Sequence, residues 1–191
     1  SAVLTWGATP FATKNQLDVV APEMLVAYRF GLAALLLIGW CAWSGRSLRF
    51  NWRHHPFIAI QGVLLFGLVD VGTYNAVARL TSGLMPVVFS LAPVVTVFLG
   101  AALIGLKIRP RVVLAGCIGL VGVAMVFSPE LRHFEASGPA LTGLGYALAG
   151  TVALALGSLT ATRNQKAGLP IIETAALGMA YGAAFTFVIS L

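Results

Sequence analysis

The stretch Ala12-Thr13-Lys14-Asn15-Gln16 returns almost unchanged as Ala161-Thr162-Arg163-Asn164-Gln165, 149 positions further along the chain. In both places a proline and a glutamate follow within a few residues. Between the two copies the chain is predicted to cross a membrane an odd number of times. A duplication that spans an odd number of crossings gives two halves of opposite orientation, which is the plan of many secondary transporters.

The composition indicates a membrane protein. Hydrophobic residues make up 59% of the chain and charged residues only 9%, whereas a soluble domain carries about 25% charged residues. The runs 80–106, 112–129 and 136–162 contain no charged residue, and each reaches the roughly 18 residues that a spanning helix needs. We therefore predict an all-α polytopic membrane protein. Its expected spanning segments are 1–16, 22–44, 56–78, 83–105, 110–128, 141–162 and 171–191, which start and stop within helices as in a fragment of a longer chain.

The basic residues predict the orientation of these segments. Eight of the twelve Lys and Arg residues lie in the loops after the second, fourth and sixth segments. By the positive-inside rule that side is cytoplasmic. The N-terminus is then cytoplasmic, the Lys14 copy of the repeat lies outside and the Arg163 copy lies inside, in agreement with an inverted duplication.

Two charged residues are predicted inside the membrane. At 1.5 Å per residue, Asp70 lies about 21 Å from the cytoplasmic side and Arg29 about 10 Å below the outer side. In a hydrocarbon core about 30 Å thick the two share a depth. Tyr74 lies one turn from Asp70 on the same face, and Asn75 is close by. The pair is either a structural ion pair or a site where the guanidinium takes a carboxylate and Asp70 takes an amine or a proton.

The fourth segment carries a stripe of small, proline and aromatic residues. Pro86 and Pro93 each remove a helical hydrogen bond and free the carbonyls of Ser82 and Phe89 on that stripe. Freed backbone in a bilayer needs protein or water as a partner. The stripe is therefore expected to belong to a kinked packing helix or to a gate that lines a cavity.

Other conspicuous residues are expected to serve the fold. Glu23 and Glu173 lie at helix starts, where a carboxylate complements the helix dipole, and we expect both to cap their helices. Small residues that recur on one face are expected to let helices approach closely. These faces are Gly143, Ala147, Gly150, Gly157 and Ala161 in the sixth segment, Gly178 and Gly182 in the seventh, and Ala115, Gly119 and Gly122 in the fifth.

Several function classes lack their residues. The chain has no phosphate-binding loop of the Gly-x-x-x-x-Gly-Lys-Ser/Thr type, so it is not expected to hydrolyse ATP. Cys41 and Cys117 lie in apolar segments without disulfide or metal spacing, and His54, His55 and His133 are expected in loops. We therefore expect neither an enzyme nor a cofactor, and the net charge of +6 reflects topology rather than a nucleic-acid partner.

The order and spacing of several short motifs resemble the drug/metabolite transporter superfamily, specifically its EamA-type branch. The motifs are Trp6-Gly7 with Lys14, Pro22 followed by Arg29, Asn75 and Ala78 ahead of Thr81-Ser82-Gly83-Leu84, Ser90-Leu91-Ala92-Pro93, and Gly116, Gly119 and Gly122-Val123. This resemblance implies ten helices in two inverted five-helix repeats around a central cavity, of which seven are expected here. It makes 1–129 the first EamA repeat, 130–140 an external linker and 141–191 the start of the second repeat.

The resemblance also implies a function. We expect a secondary transporter that exports amino acids or similar small metabolites by alternating access, as a multi-pass protein of the plasma membrane, in particular a bacterial inner membrane. A transporter of nucleotide sugars or drugs, and a channel or other non-transport membrane protein, are the alternatives. The residues expected to line the cavity are Trp6, Arg29, Asp70, Tyr74 and Asn75 from the first half and Ser158 and Tyr181 from the second, with Pro86 and Pro93 as kink or gate.

Overall fold

The computed structural model describes residues 22–80, 84–105, 107–108, 110–128 and 138–190, and the regular structure within these ranges is helical. The predicted first segment, with Trp6 and the first copy of the repeated motif, lies outside them. Within the described ranges eight α-helices follow one another: α1 (Pro22–Trp43), α2 (His55–Val63), α3 (Val69–Val77), α4 (Leu84–Phe89), α5 (Ala92–Ile104), α6 (Pro110–Val126), α7 (Gly138–Lys166) and α8 (Ile171–Ile189).

Five stretches of the described chain are long and apolar enough to cross a membrane. The seven segments and the total of ten are therefore not confirmed. The fifth segment corresponds to α6, which is apolar but only 17 residues long. At 1.5 Å per residue such a helix measures about 25 Å, less than a core of about 30 Å. The five stretches are Met24–Trp43, Trp52–Val77, Val87–Ile104, Gly138–Lys166 and Ile171–Ile189.

The span Trp52–Val77 contains three kinds of helix. A 3-10 turn, Trp52–His54, begins it, with the Asn51 side chain accepting a hydrogen bond from the Arg53 N–H at 3.2 Å. A π-helical segment, Leu64–Leu68, separates α2 from α3 and was not predicted. The expectation that His54 and His55 lie in a loop was wrong, because the 3-10 turn extends the helix to residues ahead of Pro56.

The predicted fourth segment is two helices rather than one. Helix α4 ends at Phe89, a turn follows at Ser90 and Leu91, and α5 begins at Ala92. Pro93 has no N–H to donate to the Phe89 carbonyl. In the turn itself the Ser90 hydroxyl donates to the Val87 carbonyl at 2.6 Å. The predicted proline effect is thus a break in the helix at this point.

Close glycine contacts join the rod formed by α2, the π segment and α3 to its neighbours. Along α7, which runs antiparallel to the rod, a Cβ on Gly157 would lie 2.6 Å from the Leu65 side chain and one on Gly143 would lie 2.9 Å from that of Leu80. On α8, a Cβ on Gly182 would lie 2.7 Å from the Gly62 carbonyl oxygen. These contacts confirm the predicted small-residue faces of the sixth and seventh segments.

The predicted face of the fifth segment does not pack against the rest of the described chain. A Cβ added to Gly119 or Gly122 would meet no atom of another described element within 4 Å, and Ala115 is exposed. Helix α6 has no buried residue and contacts only α4 and α5 appreciably among the described elements. Small residues permit a close contact but do not supply the partner.

Candidate functional site

The structure brings together the two charges predicted inside the membrane. Nη2 of Arg29, on α1, donates a hydrogen bond to Oδ1 of Asp70, at the start of α3. The Asp70 side chain is 18% exposed and that of Arg29 is 42% exposed, so the pair is open mainly on the guanidinium side. The Arg29 guanidinium also lies over the Phe30 ring, 4.6 Å from its centroid, and Phe30 packs against Phe66 of the π segment.

Tyr74 and Asn75 follow Asp70 along α3 but have different surroundings. Tyr74 is buried, with 4% of its surface exposed. The Asn75 side chain donates to the Val71 carbonyl at 3.0 Å and accepts from Nη1 of Arg79 at 2.9 Å. Arg79 also lies over the Tyr146 ring of α7. Asn75 therefore anchors an arginine at the end of α3 in this structure.

Tyr181 forms a second polar pair, which sequence reasoning missed. Its hydroxyl lies 2.8 Å from Nδ1 of His55, so the pair links α8 to the first residue of α2. The two rings meet edge to face with centroids 6.3 Å apart. Within the described chain no hydrogen bond joins this pair to Arg29 or Asp70. The placement of His55 at the start of α2 could have been predicted from Pro56, because proline is favoured in the first turn of a helix.

The remaining predicted residues occupy separate places. Ser158 is partly buried on α7, and its carbonyl accepts the Thr162 hydroxyl at 2.9 Å. Pro93 is exposed in the first turn of α5. Pro86 lies within α4, and Trp6 lies outside the described residues.

The second copy of the repeated motif supplies a buried polar contact. Asn164 is 1% exposed, and its amide donates to Oε1 of Gln61 at 2.8 Å and to the Phe57 carbonyl at 3.4 Å. The neighbouring Arg163 guanidinium lies over the Phe57 ring. Gln61 is also buried, so this pair ties α7 to α2 inside the bundle.

Glu173 was expected to cap α8 because of its position in the first turn, but its side chain makes no capping hydrogen bond. Its Oε1 accepts from Nη1 of Arg46 at 3.3 Å, and its Oε2 is buried without a hydrogen-bond partner. The carboxylate still lies near the helix N-terminus, where the dipole favours a negative charge. The side chain of Glu23 lies outside the described residues.

Metal-ligand residues do not gather anywhere in the described ranges: no group of three or more His, Cys, Asp or Glu side chains could hold a metal ion. Cys41 is buried and Cys117 exposed, and both are free thiols. The polar features of the described chain are thus an ion pair near α1 and α3, a His–Tyr pair, a buried amide pair and a buried carboxylate.

Comparison with known proteins gives one family match and two similar chains. The sequence pattern of the EamA-like transporter family matches residues 1–128. A chloroplastic WAT1-related protein of Arabidopsis thaliana is 28% identical over 178 residues, which cover 88% of this chain and 41% of that protein. A protein crystal structure matches with a TM-score of 0.73 and 22% identity, over 98% of this chain and 63% of that one, which is a likeness of fold. The chain thus spans about two fifths of the plant relative and less than two thirds of the solved structure.

Proposed function

The chain belongs to the EamA-like transporter family, and on that premise we propose that it is part of a secondary transporter exporting amino acids or similar small metabolites by alternating access. The family and the five apolar helices support transport of a small molecule by a protein that lies in a lipid bilayer. The class of solute, the direction and the mechanism are our proposal. The observation that carries it is the Arg29–Asp70 pair.

This pair has the chemistry to bind a zwitterion. The contact between the two side chains uses one guanidinium nitrogen of Arg29 and one carboxylate oxygen of Asp70. A guanidinium binds a carboxylate through two parallel N–H donors, and a carboxylate accepts from an ammonium group. An amino acid inserted between them would replace the internal ion pair by two charge-assisted contacts of the same kind. Because charges in a bilayer are costly unless paired, the empty site would close on itself.

The other predicted residues complete the proposed cavity. Trp6, Tyr74, Asn75, Ser158 and Tyr181 are proposed to line it, and the hydrogen-bonded hydroxyl of Tyr181 supports a polar wall on α8. Pro86 and Pro93 are proposed to form the gate, and the interruption of the helix at Ser90 supports a bend there.

The proposed organisation follows the resemblance. Residues 1–129 form the first EamA repeat, 130–140 an external linker and 141–191 the start of the second repeat, and the family match over 1–128 is consistent with this division. We propose a multi-pass protein of a bacterial inner membrane with a cytoplasmic N-terminus, supported by the distribution of basic residues.

Counterflow in liposomes tests the function. The full-length protein is reconstituted, and exchange of amino acids, nucleotide sugars and cationic drugs is measured in parallel. We expect amino acids to exchange and Asp70→Asn to abolish their exchange, while the exposed Lys166→Gln serves as the matched control for reconstitution. If only nucleotide sugars or only drugs exchange, that class of solute takes the place of amino acids in the proposal. If no solute exchanges, the transporter assignment is refuted. Full activity in Asp70→Asn would make the ion pair purely structural.

A further inference from the structure

An open cleft of about 590 Å³ lies at the end of the bundle where α7 turns into α8. After α7 the chain turns at Gly168, which has a left-handed backbone (φ +77°), and the Leu169 N–H donates to the Asn164 carbonyl at 3.1 Å. Pro170 is the N-cap of α8, so the two helices are joined by a short connection. This connection and the first turn of α8 supply most of the lining, and Arg46 reaches the cleft from beyond the end of α1.

The lining of the cleft is amphipathic. Four consecutive apolar residues, 169–172, supply the apolar part, and Ile171 and Ile172 are exposed. The polar part consists of Arg46, Gln165 and the buried Glu173. A small polar solute would leave the isoleucines in contact with water. A molecule with a charged head and an apolar tail covers both parts, and covering apolar surface is favourable.

Arg46 is held in place but retains free hydrogen-bond donors. Its Nη1 donates to Oε1 of Glu173 at 3.3 Å, and within the described ranges the structure gives its side chain no other hydrogen bond. The side chain is 44% exposed. A guanidinium carries five N–H donors in a planar fork that matches a phosphate group. Arg46 can therefore bind a phosphate while it keeps its contact with Glu173.

The charge around the cleft favours an anion. The segments 44–54 and 163–173, which the Arg46–Glu173 contact joins at this end of the bundle, contain five basic residues and one acidic residue. Arg49 and Arg53 are exposed, and neither forms an ion pair with a described carboxylate. Glu173 balances one positive charge and leaves the others in surplus. Basic pockets between membrane helices are typical binding sites for anionic lipid headgroups.

Exposed tryptophans indicate that this end of the bundle lies at the level of the lipid headgroups. Trp43 is the last residue of α1 and Trp52 the first residue of the 3-10 turn, and they are 84% and 83% exposed. The Trp40 ring meets that of Trp43 edge to face, with centroids 5.8 Å apart. Tryptophan is enriched at membrane–water interfaces, because its ring is apolar and its N–H polar. Arg46 follows Trp43 by three residues, which puts it near the lipid phosphates.

We propose that the cleft between Arg46 and the α7–α8 connection binds an anionic phospholipid such as phosphatidylglycerol. The phosphate accepts N–H donors of Arg46, Arg49 and Arg53 add electrostatic attraction, and the first part of the acyl chains covers residues 169–172. Phosphatidylcholine carries the same phosphate together with a positive charge that cancels it, so the surplus of basic residues selects the anionic lipid. The site requires only that the protein lies in a bilayer, and it is independent of the transported solute.

Thermal unfolding with added lipid tests the site. The purified full-length protein in detergent is titrated with phosphatidylglycerol, with phosphatidylcholine of the same acyl chains, and with glycerol phosphate. We expect only phosphatidylglycerol to raise Tm. Its apparent affinity should fall about tenfold or more in Arg46→Gln, since a charge-assisted hydrogen bond is lost. The matched control is Lys107→Gln, which removes an exposed cation between α5 and α6 that does not line the cleft and should keep the wild-type affinity.

Four results of this titration would overturn the proposal. They are the absence of stabilisation by phosphatidylglycerol, equal stabilisation by phosphatidylcholine, stabilisation by glycerol phosphate, which indicates a site for free anions, and an equal loss of affinity in Lys107→Gln and Arg46→Gln. Because Arg46→Gln leaves the buried Glu173 carboxylate without its cation, the variant that combines it with Glu173→Gln is measured as well. The combined variant should show the same loss, and wild-type affinity there counts against the site.

Photocrosslinking tests the location. Phosphatidylglycerol with a photoreactive acyl chain is added to the protein, and the labelled peptides are identified by mass spectrometry. We expect labelling to concentrate in residues 165–173 and to exceed that of α6, which has no buried residue and exposes much apolar surface. Equal labelling of both regions would indicate general contact with lipid and refute the site. Failure of the amino-acid assignment would leave all these lipid measurements unchanged, so the two proposals fail separately.

Discussion

The contact between Gly62 of α2 and Gly178 of α8 gives the sharpest prediction of packing. A Cβ added to Gly62 would lie 2.1 Å from the Gly178 carbonyl oxygen and 2.8 Å from its Cα. Ordinary van der Waals contact begins near 3.4 Å, so in Gly62→Ala the helices would have to separate by about 1.3 Å. The obstacle is backbone, which cannot rotate away as a side chain can. We therefore expect the upper end of the usual overpacking cost, about 3 kcal/mol, and a fall in Tm of roughly 6–12 °C.

Thermal unfolding of the purified protein in detergent, followed by tryptophan fluorescence, measures this effect. Gly145→Ala on α7 is the matched control, because a Cβ there meets no atom within 4 Å. It changes the same chemical group in a helix and is expected to leave Tm unchanged or slightly higher, since alanine favours helix. If the two variants unfold at the same temperature, α2 and α8 do not approach each other in the protein as closely as the structure shows.

Two further variants test the buried amide pair and the interrupted helix. Asn164→Ala removes the donor to Gln61 and leaves a buried acceptor without a partner, so it should lower the free energy of unfolding by about 1–3 kcal/mol. The control Gln165→Ala changes an exposed neighbour and should cost little. Equal Tm values for the two variants would contradict this prediction. Pro93→Ala restores an N–H that can donate to the Phe89 carbonyl. It should therefore raise the helical signal in circular dichroism and slow solute exchange. Unchanged exchange would contradict the proposed gate.

The sequence was sufficient where periodicity and charge act over many residues. Long uncharged runs gave the apolar helices, and the spacing of Gly143, Gly150 and Gly157 gave the face of α7 that packs on α3 and the π segment. Arg29 and Asp70 were expected at one depth because rise per residue converts sequence position into depth. Each of these inferences uses only the geometry of a single helix.

Features that depend on a partner helix were not predictable in the same way. The face of α6 with Ala115, Gly119 and Gly122 looks like the glycine face of α7, yet a Cβ on Gly119 or Gly122 would meet no atom of another described element within 4 Å, because close packing also needs a second surface. Glu173 could be placed at a helix start, but its contact with Arg46 depends on how the end of α1 meets α8. The π segment Leu64–Leu68, which packs against both α7 and α8, was not predicted either.

The contacts between the proposed repeats limit how the protein could move. Helices α7 and α8, assigned to the second repeat, hold α2 from two sides through the Gly62–Gly178 approach and the buried Asn164–Gln61 pair. Sliding at either contact would force backbone atoms together or leave a buried amide unpaired, and packed interfaces change in discrete steps rather than continuously. The π segment and the turn at Ser90, by contrast, already interrupt regular helical hydrogen bonding, and both lie in the proposed first repeat. We therefore infer that alternating access would bend the first repeat at these two points while the α2 contacts with α7 and α8 persist. A disulfide or crosslink between α2 and α8 near Gly62 should accordingly permit transport, whereas one that bridges α4 and α5 across Ser90 should stop it.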